Sequence, residues 1–267
     1  MRDGETLAAL RARIKAGGLD EELAWPTVGL AAEVETETHG AVLPGGLASG
    51  ALHELQPATP ADIGAATGFA LGLASRLLAQ RPGPLLWGLP STRGWREGRL
   101  YPVGLGAFGI DPDRVVQVEV KKTADLLWSL EEALDHPSLA VVVGLLPEGD
   151  RLYDFTASRR LAMRAARHGA TVLLLGAAPV FDMATAASTR WSLAALASRP
   201  VPHVGQAVPG LGPPRWQARL VKSRKGLLDT WDLEWNHETL SFRLAAPLAD
   251  RAPLRRTGGL SRRPTAA

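Results

Sequence analysis

The chain has 267 residues, 46% hydrophobic and 21% charged, with a formal net charge of +3, an ordinary composition for a domain with a full buried core. It has no cysteine, which excludes disulfides, thiol nucleophiles and thiolate-held zinc or iron–sulfur sites. No apolar run approaches the roughly 20 residues that span a bilayer, and MRDGETLAALRARIKAGG at the start carries acids where a secretion signal is basic and then apolar, so a cytoplasmic location is expected.

Residues 4–16 are predicted to form a helix, with Leu7, Leu10 and Ile14 on one face and Gly17-Gly18 as its stop. That narrow stripe either packs on the chain's own domain or docks on a partner. Residues 19–44 have no clear period and carry Asp20, Glu21, Glu22, Glu33, Glu35 and Glu37, an acidic arm. Residues 1–44 are thus set apart from a core at 45–247. The tail at 248–267 is rich in Arg, Gly and Pro, and is predicted to be basic and disordered.

Within the core the pattern alternates. Strands are predicted at about 51–55, 85–89, 115–120, 139–146 and 171–178. Helices are predicted at about 64–80, at 123 onward with Pro137 just past the end, and at 156–170 with Gly169 as the stop. A short helical segment precedes GIDPDR. Wholly apolar strands alternating with helices imply a parallel sheet covered on both faces. After Pro179 the period changes to two, over 188–196, 215–226, 230–235 and 239–244. These segments read as antiparallel strands, a hairpin added to the sheet edge. The fold class is therefore α/β, with a parallel core and antiparallel C-terminal edge strands.

ELQPATPADIGAATGFALGL (54–73) has the layout of a strand, a phosphate loop and a helix. Taking Gly64 as the second glycine of G-x-x-x-x-G-K-[ST] puts Thr59 at the first glycine, Ala65 at the lysine and Ala66 at the hydroxyl. Thr67 supplies a hydroxyl one position late, and the next cation along the helix is Arg76. The lysine bridges phosphates and the hydroxyl holds magnesium, so the loop has the shape without the charge.

GGLASGALHEL, GAATGFALGLASRLL, LLWGLP, LYPVGLGAFGIDPDRVVQVEVKKTADLLWSLEEAL, AVVVGLL, FTASRRLAMRAARHGATVLLL, STRWSL, PGLGPPRWQARLVKSRKG and WDLEW follow one another over about residues 45–237. Their order resembles the RecA ATPase core and, more specifically, the ImuA family of accessory proteins in bacterial inducible mutagenesis. The resemblance implies a RecA-like core with a degenerate P-loop. A metal-holding acid would end the strand at AVVVG, where Gly144 stands and Glu148 and Asp150 are displaced. A base would follow LLWGL, where Leu89, Pro90 and Ser91 stand and Glu97 lies further on. A phosphate sensor would follow TVLLL, where Gly176 stands. With four elements lost together, no ATP hydrolysis, no cofactor and no metal are expected.

The implied role is a non-catalytic one in SOS mutagenesis and translesion DNA synthesis. The implied partners are an ImuB-like inactive Y-family polymerase homologue and an error-prone replicative-type polymerase. RecA is a further one, which the chain would limit as a dead-end subunit. Two other classes stay open: an active RecA-type ATPase or recombinase paralogue, and a basic DNA-binding module. For the last, Arg215, Arg219, Lys222, Arg224 and Lys225 form a candidate basic ridge, while segments near 148–156 and 178–189 are short for recombinase DNA-binding loops. Trp95, among three arginines in STRGWREGR, either stacks on bases or anchors its loop. Trp231, Leu233 and Trp235 share one strand face, read first as packing under a helix. The six scattered histidines are read as structural.

Overall fold

The computed structural model describes residues 27–28, 47–91, 99–148, 151–176, 183–201, 210–224 and 228–245. The helix at 4–16 with Leu7, Leu10 and Ile14, the tail at 248–267, and Trp95, Glu97, Asp150 and Lys225 lie outside the described residues.

A short antiparallel pair, β1 (Thr27–Val28) and β2 (Leu47–Ala48), precedes the main sheet. The core then alternates β3 (Leu52–Pro57), α1 (Ile63–Gln80), β4 (Leu85–Pro90), α2 (Pro102–Gly106), β5 (Val115–Val120), α3 (Thr123–Leu134), β6 (Val141–Leu146), α4 (Phe155–His168) and β7 (Thr171–Gly176). Four more strands follow: β8 (Thr189–Leu196), β9 (Arg215–Ser223), β10 (Thr230–Asn236) and β11 (Ser241–Leu244). The nine-stranded sheet has the order β11-β10-β9-β8-β3-β7-β6-β4-β5. The six strands from β8 to β5 are mutually parallel, and β9, β10 and β11 continue antiparallel to their neighbours. The fold is therefore α/β, as the alternating pattern implied. The C-terminal part is larger than the single hairpin expected: β8 joins β3 in parallel and turns the chain into a meander.

Side-chain alternation divides the core between the two faces. Leu55, Trp87, Val143 and Leu173 meet α1 through Phe69, Ala70, Leu73 and Leu77. Leu52, Leu86, Val142 and Leu174 meet α3 and α4 through Leu126, Leu130 and Leu161. The helices predicted on both faces are present; α1 ends at Gln80 as predicted, while α3 and α4 end slightly earlier than the periodicity suggested. Gly169 adopts φ 73 and ends α4, a left-handed conformation that only glycine takes without strain. Among the described residues no helix is long and apolar enough to cross a membrane.

The tryptophans of the meander are core. Phe69 of α1 lies 5.7 Å from Trp216 and 5.0 Å from Phe242, and Trp235 meets Phe242 edge to face at 5.1 Å. Each buried indole finds an acceptor: Trp191 donates to the Thr189 hydroxyl, Trp216 to the Ala65 carbonyl and Trp235 to the Ala107 carbonyl. Trp235 packs against α1 at Gly72 and bonds the end of α2, as first read, while Trp231 is half-buried 5.8 Å from Trp191.

His53 in β3 is wholly buried. Its Nε2 donates to the Ala48 carbonyl, so its Nδ1 accepts from the Thr189 hydroxyl, both at 2.8 Å. Burial pushes its pKa down to about 4, against the weaker upward pull of the Ala48 carbonyl. Between pH 6.5 and 4 the unfolded chain takes up a proton that the folded chain refuses. Stability is then full above pH 6.5 and falls by about 3 kcal/mol as the pH drops to 4. Urea titrations at stepped pH should show this slope, and His53→Gln should flatten it; an unchanged slope in the variant would place its origin elsewhere.

Candidate functional site

The turn between β3 and α1 is where a phosphate loop would lie, and here the Asp62 carboxylate bonds across it to β8. Ala58 N–H donates to the Leu193 carbonyl at 2.7 Å, which ties the loop to β8. A single 3₁₀ turn, Pro60–Asp62, follows. Asp62 Oδ1 accepts from Ala195 N–H at 2.8 Å, and Asp62 Oδ2 accepts from Thr59 N–H at 3.0 Å and from the Thr59 hydroxyl at 2.7 Å. The Ala195 N–H, then the Thr59 hydroxyl, hold the Asp62 carboxyl below its usual range despite some desolvation. A phosphate loop offers its backbone N–H groups to an anion. At this turn the Thr59 N–H already has one, shared with the Ala195 N–H of β8, and it sits at the positive end of the α1 dipole.

A Cβ added at Gly64 would meet nothing within 4 Å. Ala65 is half-buried against the core and its carbonyl accepts the Trp216 indole at 2.7 Å, while Ala66 is fully buried. The Thr67 hydroxyl donates to the Ile63 carbonyl at 2.9 Å, back into its own helix. Arg76 reaches the Leu240 carbonyl near the opposite end of α1.

The remaining nucleotide-site positions are taken by packing. Gly144 pairs with Gly88 across β6 and β4. A Cβ at Gly144 would lie 2.5 Å from Leu130 Cδ1 and 2.9 Å from Leu174 Cδ2, and one at Gly88 would lie 2.8 Å from Leu126. The two glycines form a trough that lets α3 seat its leucines against the sheet. β6 runs on through buried Leu145 and Leu146, and Glu148 lies exposed beyond it. Pro90 is buried, Ser91 N–H donates to the Val120 carbonyl, and Gly176 is buried at the end of β7.

The candidate basic ridge divides. A bulge opposite Arg190/Trp191 in the β8–β9 register turns Lys222 onto the face of Arg190, the face opposite α1. There Glu54, fully buried in β3, accepts from the Tyr153 hydroxyl and from Arg190 Nε, both at 2.7 Å. Burial first, then the Glu54 charge, pushes the Tyr153 phenol well above its usual range and keeps it a donor. Lys222 Nζ donates to the Thr185 carbonyl at 2.6 Å, and Arg224 Nη2 donates to the Ala186 carbonyl at 2.6 Å. Desolvation lowers the Lys222 pKa; Glu54 opposes this, and Arg190 and Arg224 add to it. These cations clamp the segment that crosses over β3 from β7 to β8. Arg215 leaves the ridge altogether: it is buried, 3.5 Å from Glu234, with Nη1 on the Ala197 carbonyl. Arg219 is exposed.

Two of these centres escaped the reading of the sequence. Asp62 was legible as T-x-x-D just before a helix, a capping-box spacing. Glu54 was legible as an acid inside an apolar strand, which is rarely tolerated without a partner. Arg190 and Tyr153 carried no local signal. Among the described residues no three His, Asp or Glu side chains gather as metal ligands would.

No family model matches the chain. Protein ImuA of Caulobacter vibrioides (strain NA1000 / CB15N) is 31% identical to it over 220 residues, covering 77% of this chain and 84% of that protein. Protein ImuA of Caulobacter vibrioides (strain ATCC 19089 / CIP 103742 / CB 15) matches with the same identity and coverage.

Proposed function

Since the chain belongs to the ImuA family, we propose that it is a non-catalytic accessory protein of SOS mutagenesis and translesion DNA synthesis. It works by protein contacts, with an ImuB-like inactive Y-family polymerase homologue and an error-prone replicative-type polymerase as partners. RecA is a third partner, which the chain restrains by pairing with it as a dead-end subunit. Residues 45–247 are the RecA-like scaffold, and residues 1–44 and 248–267 are contact segments.

The observation that carries this reading is the occupied turn. Asp62 takes up the Thr59 N–H and hydroxyl of the β3–α1 loop together with the Ala195 N–H of β8, and the lysine position is Ala65. A triphosphate arriving there would meet a carboxylate and no side-chain cation from the loop. What the fold retains is its sheet, its helices and its surface, which suit a scaffold.

The test is genetic. Deleting the gene should bring damage-induced mutation frequency down to the uninduced level, and a plasmid-borne copy should restore it. Affinity capture of the tagged protein from damaged cells should retain the polymerase homologue. An induced frequency unaffected by the deletion would remove the proposal.

A further inference from the structure

A pocket of about 220 Å³ lies beside the C-terminal half of α1, the turn before β5 and the β10–β11 turn. Two arginines are among the residues that line it, Arg76 and Arg114. Arg76 Nη1 reaches only the Leu240 carbonyl, at 3.5 Å, and its buried Nε has no hydrogen-bond partner among the described residues. Arg114 Nη2 donates to the Gly83 carbonyl at 2.6 Å. Neither arginine has an ion-pair partner among the described residues. The nearby Asp111 carboxylate accepts from Asp113 N–H and so caps its own turn.

Buried donors are nearly always satisfied, and an orphan in a native fold calls for an explanation. A second irregularity adjoins it. Leu240 adopts φ 48, a left-handed backbone that a leucine takes only under strain. That strain aims the Leu240 carbonyl at Arg76 and lays its side chain against Gly109, forming one wall of the pocket. Leu78 and Ile110 supply further aliphatic lining.

We infer that this pocket takes a single carboxylate-bearing side chain, an aspartate or glutamate, from a protein partner. The guanidinium fork matches a carboxylate, and the aliphatic walls fit the methylenes that carry it. The volume is below the roughly 300–1,000 Å³ of small-molecule sites, so a whole nucleotide does not fit and one side chain does. The site lies at the far end of α1 from Asp62 and does not depend on the accessory role: it binds a carboxylate whether or not the protein acts in mutagenesis.

The test uses the full-length protein and the Arg76 Nε–H signal in proton–nitrogen correlation spectra, titrated with N-acetyl-glutamate amide. A saturable millimolar shift is expected, with none from N-acetyl-glutamine amide. Arg114→Gln should weaken it about tenfold, the loss of one charge-assisted hydrogen bond. Ala79→Phe, which fills the mouth from an exposed position, should abolish it without touching either arginine. No shift, an equal shift from the glutamine compound, or a shift surviving Ala79→Phe would overturn the assignment. Tighter binding of inorganic phosphate than of the glutamate compound would overturn it in favour of a phosphoryl ligand.

Discussion

Gly144→Asp, which places an acid on the β6 strand, is expected to destabilise the protein by more than about 4 kcal/mol. The new Cβ would meet Leu130 and Leu174 at less than van der Waals distance, and overpacking of this kind costs about 1–3 kcal/mol. The carboxylate would then stand in a wholly apolar layer under α3, where an unpaired charge costs several kcal/mol more. That approaches the roughly 5–15 kcal/mol by which a domain is stable at all. Urea denaturation measures it directly; a variant with near wild-type stability would mean that α3 can lift off the glycine trough. An acid at this position is thus opposed by how α3 packs on the sheet.

Glu54→Ala is the second large effect, expected to cost roughly 3–5 kcal/mol. The substitution leaves Arg190, with its side chain only 13% exposed, without its carboxylate, and leaves the buried Tyr153 hydroxyl without its acceptor. Arg190 also donates to the Met183 carbonyl, so the crossing segment loosens together with the ion pair. Replacing Glu54 and Arg190 together with apolar residues should recover much of the loss, because a buried pair is expensive to break and cheap to replace whole. Chemical denaturation of both single variants and the double variant separates these terms. A single variant losing less than about 1 kcal/mol would show that water already reaches the pair.

The apolar runs made the core of the fold legible. VVQVEV is β5 to the residue, and LLWGLP, AVVVGLL and TVLLLG each became a buried parallel strand, because a strand covered on both faces must be apolar throughout. The meander was legible as alternation, but its join to β3 was not. Whether β8 pairs in parallel with the centre or hangs on the edge is decided by long-range register, which no local period encodes. At the loop the absent lysine was plain to read. The bond by which the Asp62 carboxylate ties this turn to β8 depends on Ala195, 133 residues further on. Lys222 and Arg224 read as part of a ridge able to contact phosphates; alternation alone did not show the bulge that turns Lys222 toward the crossing segment. Arg76 and Arg114, 38 positions apart, meet only once α1 is laid beside the turn before β5.

The central claim, that this fold keeps the frame of a nucleotide loop without its chemistry, is tested most directly by calorimetric titration of the purified protein with magnesium–ATP, followed by a phosphate-release assay. The account predicts no binding heat up to millimolar nucleotide and no phosphate release above the buffer rate, for the wild type and for Asp62→Asn alike. Micromolar binding with magnesium-dependent turnover that is lost on changing Thr67 or Glu97 would contradict it.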